Sequence, residues 1–166
     1  MAGKANLLGH PIHPMLIVFP LGLLPAAVVC DVIFLVRHNP NWGHVAYWLI
    51  AGGVLGGLAA ALFGFIDWLG LESGTRAKRI GAWHGGINVI VTALFAVSWF
   101  LRRAAPDSPT MPAIAFGMIA LVFALVAAWM GGELVYRLSV GVDQGAHVDS
   151  PSSLSDRPAS ADAKTM

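Results

Sequence analysis

The residues that could do chemistry in this chain are few, and most of them are histidines and carboxylates. His10 and His13 stand in the run Gly9-His10-Pro11-Ile12-His13-Pro14, Asp67 closes a long apolar stretch, His84 opens another, and Glu133 and Arg137 close a last one. Imidazole and carboxylate together are the ligand set of zinc and iron sites, and two imidazoles alone are a usual axial pair for haem b. His84, Asn88 and Thr92 recur every four residues, which puts them on one face of a helix. Glu133 and Arg137 are also four apart and can pair along a helix. Each proline biases the histidine before it toward extended backbone, so His10 and His13 are expected on a stiff segment where Pro14 starts a helix. A purely structural role is the competing reading. In it Glu133 pairs with Arg137, Asp67 with a loop arginine, and His84 with Asn88 or a main-chain carbonyl.

The surroundings of these residues are apolar. Of 166 residues, 57% are hydrophobic and 11% charged, against about 25% charged in soluble domains. The mean hydropathy is +0.70. Four stretches are long enough to cross a bilayer, which takes about 20 residues: about 15–36, 45–69, 80–101 and 112–138. Short connectors make successive spans antiparallel neighbours. The expected fold is therefore all-α, an integral-membrane up-down-up-down four-helix bundle over residues 1–141. Continuous rather than alternating apolarity argues against a β-barrel. Residues 142–166, rich in Ser, Asp, Pro and Ala, are expected to form a disordered polar tail. The first span is expected to be retained, because no small-residue cleavage site follows it.

Drawing the bundle brings the polar residues together. With helices alternating in direction, His10, His13, Asp67, His84, Glu133 and Arg137 map to one end. The opposite end offers only Asp31, His38, His44 and loop arginines. Ionisable groups in membrane spans are functional candidates by default, so the first end is the expected site. One reading is a haem b held by His84 with His13 or His10, with Gly81 and Gly85 making room and Arg76, Lys78 or Arg79 meeting the propionates. Another is a zinc or iron site built from His10, His13, Asp67, His84 and Glu133, supported by Asn88 and Arg137. A third is an accessory subunit whose polar end docks a partner.

Several function classes fall away. A net charge of +1 lacks the basic patch of a nucleic-acid binder. A single cysteine, Cys30, cannot form an internal disulfide or hold an iron–sulfur cluster. No nucleophile elbow or phosphate-binding glycine loop is present. Glycines and alanines recur at four-residue spacing from Gly52 to Gly64, which suits close helix packing within the bundle or a homodimer. Trp42, Tyr47, Trp48, Trp68, Trp83, Trp99 and Tyr136 fall near span ends as interfacial anchors, whereas Trp129 reads as a packing residue. Lys4, Arg76, Lys78, Arg79 and Arg137 outnumber Arg37, Arg102 and Arg103, which favours both termini in the cytoplasm.

The motifs Gly-His-Pro-Ile-His-Pro-Met-Leu (9–16), Phe-Pro-Leu-Gly (19–22), Gly-Phe-Ile-Asp-Trp-Leu (64–69), Ala-Trp-His-Gly-Gly-Ile-Asn (82–88) and Gly-Gly-Glu-Leu-Val-Tyr-Arg (131–137) follow in order along the chain. Together they resemble an uncharacterised bacterial family of four-helix membrane proteins with a Gly-His-Pro-x-His-Pro start. The resemblance covers about residues 7–143 and implies a multi-pass protein of the bacterial inner membrane. Some relatives form the membrane part of proteins with a Rieske iron–sulfur domain, which implies electron transfer to a separate redox partner in a chain without that domain.

Overall fold

A computed structural model describes residues 4–162. The chain begins with two short antiparallel strands, β1 (Asn6–Leu7) and β2 (His10–Pro11). Leu8 and Gly9, both at positive φ, make the two-residue turn that such hairpins favour. Two-residue strands carry no readable alternation, so periodicity does not reveal this element. It keeps His10 extended, as its proline requires. His13 differs from expectation, because it lies inside a short helix, α1 (Ile12–Leu16), with Pro14 still in the first turn where no N–H is missed.

The helix restarts as α2 (Val18–Arg37). Pro20 has no N–H to give to the Leu16 carbonyl, which accounts for the break. His38 ends α2 in the left-handed conformation at φ 52°. α3 (Pro40–Leu69) starts on Pro40, capped by the Asn39 side chain, which accepts from Asn41 N at 3.0 Å. α4 (Arg76–Leu101) is capped by Thr75, whose hydroxyl accepts from Lys78 N at 3.1 Å. α5 (Met111–Gly132) runs into a wide π turn at Glu133–Arg137, closed by Leu138 N donating to Glu133 O at 3.1 Å. Beyond it, residues up to 162 form irregular turns, and Ser153 reaches back to the Leu8 carbonyl at 3.2 Å.

Among the described residues, four helical segments are long and apolar enough to span a membrane: Ile12–Arg37, Pro40–Leu69, Arg76–Leu101 and Met111–Arg137. They form a closed ring in which α2 packs on α3, α3 on α4, α4 on α5 and α5 on α2. α2 and α4 thus face each other across the bundle axis. Leu24, Ala27, Val28, Ile50, Val91, Phe95 and Ala120 fill the centre. Lipid provides no hydrophobic drive between helices, so close fit must hold them. The small-residue stripe of α3 supplies that fit within the chain: a Cβ at Gly53 would collide with Leu24, and one at Gly56 with Phe19. Leu55, Leu62, Val122 and Leu125 point outward, as a lipid-facing surface should. Trp129 joins them at 67% exposure, which corrects its reading as a packing residue. The small Ala127 and Gly131 beside it face inward instead.

Candidate functional site: a histidine pair across the bundle

His13 and His84 come from opposite helices and meet near one end of the bundle. Their ring centroids are 6.4 Å apart and their planes stand at 88°. Each ring is held the same way. His13 Nδ1 donates to the carbonyl of Ala60 on α3 at 2.8 Å, and His84 Nδ1 donates to the carbonyl of Ala127 on α5 at 2.9 Å. A carbonyl only accepts, so the proton of each neutral ring sits on Nδ1 and the lone pair on Nε2. Four residues beyond each acceptor comes a glycine. A Cβ at Gly64 would lie 2.8 Å from His13 Nδ1, and one at Gly131 would lie 3.3 Å from His84 Cε1. Missing side chains at these two places let each ring reach the neighbouring backbone.

Asn88 completes the arrangement around His84. Its amide nitrogen lies 3.2 Å from His84 Nε2 and donates to the His84 carbonyl at 2.9 Å. Thr92, one turn further, approaches Gly57 of α3. The face carrying His84, Asn88 and Thr92 is accordingly turned into the bundle, as the cost of a polar stripe in lipid demands.

The remaining residues of the expected cluster are engaged elsewhere. Asp67 accepts from Ala5 N at 3.0 Å, tying the N-terminal segment to the end of α3. Glu133 pairs with Arg76 at 2.6 Å rather than with Arg137, which is exposed. Glu133 and Arg137 both lie in the π turn that ends the fourth span, and the Glu133 carboxylate reaches across to the start of α4. His10 faces out of the bundle, 3.2 Å from the Ser153 hydroxyl. Among the described residues, no three His, Cys, Asp or Glu side chains are grouped closely enough to hold a metal ion. His10, His13, Asp67, His84 and Glu133 are therefore not brought together as one ligand set.

Two of the three basic residues expected to meet propionates are similarly committed. Arg76 holds Glu133, while Lys78 donates to Trp68 O at 2.7 Å and lies over the Trp68 ring at 4.0 Å. Arg79 is exposed. Gly81 is filled by Trp68, whereas nothing lies within 4 Å of a Cβ at Gly85.

The other end of the bundle holds a stronger polar group than expected. Arg102, read from sequence as a loop residue, turns inward and is 1% exposed, as is Asp31. The two form a bidentate pair at 2.7 and 3.0 Å. Arg102 also donates to the Ser98 hydroxyl at 3.0 Å and to the Ser98 and Ala113 carbonyls at 3.3 Å. The Ser98 hydroxyl donates to Ala113 O at 2.6 Å. A lone acid in one span and a cation ending another at the same end was the available signal.

No curated protein and no solved structure matches the chain. Residues 9–144 match the family described as "Predicted membrane protein (DUF2231)", a domain of unknown function. With four apolar spans and most of its length inside that match, the chain belongs to this family of multi-pass membrane proteins.

Proposed function

We propose that this membrane protein carries a haem b between His13 and His84 and passes electrons to a separate redox partner. The observation behind this reading is the perpendicular histidine pair with both Nδ1 atoms fixed on main-chain carbonyls. Metal-ligating histidines commonly donate their second nitrogen in this way, which fixes the tautomer and ring orientation. The two rings come from opposite sides of the bundle, 6.4 Å apart between centroids, and would hold a haem between them.

Two protein ligands favour haem over a bare ion. Structural and catalytic zinc sites take three or four protein ligands, whereas haem brings its own equatorial nitrogens. A bound haem would supply a one-electron iron couple. The chain's own residues hold and orient: Ala60 O and Ala127 O aim the rings, and Gly64 and Gly131 give them space. Asn88 guards the His84 lone pair and keeps its second bond, to the His84 carbonyl, when that lone pair is given to a ligand.

The same reading places the histidine end on the cytoplasmic side of a bacterial inner membrane. With Arg102 withdrawn into the bundle, Lys4, Arg76, Lys78, Arg79 and Arg137 stand against only Arg37 and Arg103. A reporter fused after Met166 should therefore signal from the cytoplasm, and a periplasmic signal would reverse the orientation.

The test of the proposal is an absorbance spectrum of detergent-purified protein, oxidised and then dithionite-reduced, for wild type, His13→Ala and His84→Ala. A Soret band with a sharp reduced α band, lost in both variants, is expected. A colourless wild type retaining a metal ion that either variant loses would replace haem with a non-haem metal. A protein with neither would make the histidine pair a helix-bridging device.

A further inference from the structure

His13 and Asp31 lie 18 residues apart, and so do His84 and Arg102. His13 meets His84 and Asp31 meets Arg102, and in both contacts the partners are 71 residues apart. A residue meets its own counterpart only where a two-fold axis passes between them. Two such contacts at opposite ends of the same helices define that axis.

Much of the burial follows the same offset, although Cys30 and Gly43 are buried where Leu101 and Thr110 are exposed. Leu24, Ala27 and Asp31 on the first helix are buried, and so are Phe95, Ser98 and Arg102, each 71 residues on. On the second helix of each half the offset is 67. Ala46, Ile50, Gly53 and Ala60 are buried, as are Ala113, Gly117, Ala120 and Ala127. The histidine acceptors Ala60 and Ala127 and the glycines Gly64 and Gly131 obey it too. Any amphipathic bundle repeats apolar positions. A general period does not also repeat the device by which each histidine reaches the carbonyl four residues before a glycine.

We infer that the bundle is two copies of one helical hairpin, α1–α3 and α4–α5, facing each other about a two-fold axis along the bundle, and that the Asp31–Arg102 pair on that axis is the positioning element that sets how His13 opposes His84. Because each half has two spans, both begin on the same side, as in parallel membrane repeats with an axis along the membrane normal. The distance from the ion pair to the histidine pair is five helical turns, about 27 Å, close to the thickness of the hydrocarbon core. The pair also selects which hairpins meet. A first hairpin facing its own copy from another chain would oppose two Asp31 carboxylates, and a second hairpin would oppose two Arg102 guanidinium groups. Only the first with the second places opposite charges on the axis. This inference stands whatever the histidines bind.

The test uses full-length protein in membranes, with Cys30→Ser, His13→Cys and His84→Cys, and a short bis-maleimide to join the two introduced thiols within one chain. Into this background go Asp31→Arg, Arg102→Asp and both together. Each single reversal leaves like charges buried on the axis, and intramolecular crosslinking is expected to fall by more than about tenfold. The exchanged pair should return it to within about twofold of the reference, as coupled positions do in a double-mutant cycle. Crosslinking that survives the single reversals would show that the pair does not set the histidine register. An exchange no better than the single reversals would show that positions 31 and 102 are not equivalent. Since the readout contains no ligand, a colourless protein would overturn the haem proposal and leave this result untouched.

Discussion

The two ends of the bundle axis carry polar pairs of opposite character. At one end Asp31 and Arg102 are almost wholly buried, and every guanidinium nitrogen has an acceptor in Asp31, Ser98 or Ala113. At the other, His13 and His84 are half-buried, each Nδ1 is tied to a main-chain carbonyl, and His84 Nε2 meets the side-chain amide of Asn88 at 3.2 Å. A closed, charge-compensated network in a low-dielectric interior resists change, because removing either partner strands a charge. A fixed imidazole with an available lone pair is what a ligand needs. On the proposed reading, assembly and binding are separated along the bundle, with the same two spans contributing to both.

The largest effect that should separate the two ends is at Asp31. Asp31→Ala leaves Arg102 buried without its counter-charge and should cost about 3–5 kcal/mol, seen as loss of the monodisperse peak in detergent chromatography and a collapsed melting transition. If the variant melts like wild type, the closed network does not hold the bundle. Next comes Gly131→Leu, which puts a side chain where His84 lies against α5. Overpacking of this kind costs about 1–3 kcal/mol, and it should displace the ring and abolish ligand binding at the histidine end. Retained binding would remove the glycine from the site.

A smaller effect on the fold is expected at His84 itself. His84→Ala gives up one hydrogen bond to Ala127 and should cost about 1 kcal/mol, leaving a folded protein that no longer binds at the site. A loss of folding as large as that of Asp31→Ala would erase the distinction between the ends. The smallest effect belongs to Glu133→Gln. Its pair with Arg76 is partly exposed, with side-chain exposures of 19% and 51%, so the change should stay under about 1 kcal/mol. A shift of several degrees in thermal unfolding would give that surface pair a larger share in holding α4 to α5.

Hydropathy and length made the four spans legible, and alternating helix direction was enough to bring His13 and His84 to one end. The partners of the polar residues were less legible. Glu133 and Arg137 have helical spacing, but Glu133 pairs with Arg76 on the neighbouring helix, a contact that spacing within one helix does not reveal. Residue type pairs Asp67 with a basic or metal-binding side chain, whereas its carboxylate accepts from the main-chain N–H of Ala5. Arg102 read as a loop cation because a basic residue at a span end ordinarily reaches for water. Its inward turn depends on Asp31 across the bundle, which only the packing reveals. The 71-residue offset was present in the sequence all along. Few residue identities accompany it, since burial rather than side-chain type is what the two hairpins share.

The most direct test of the histidine pair as a haem site is a low-temperature EPR spectrum of the oxidised protein purified from haem-replete cells. Imidazole planes held at 88° predict the strongly anisotropic low-spin ferric signal of perpendicular axial ligands. A rhombic signal typical of parallel planes would contradict the geometry of the site. A high-spin signal would mean that one histidine is not a ligand, and an EPR-silent protein without iron would contradict the haem reading itself.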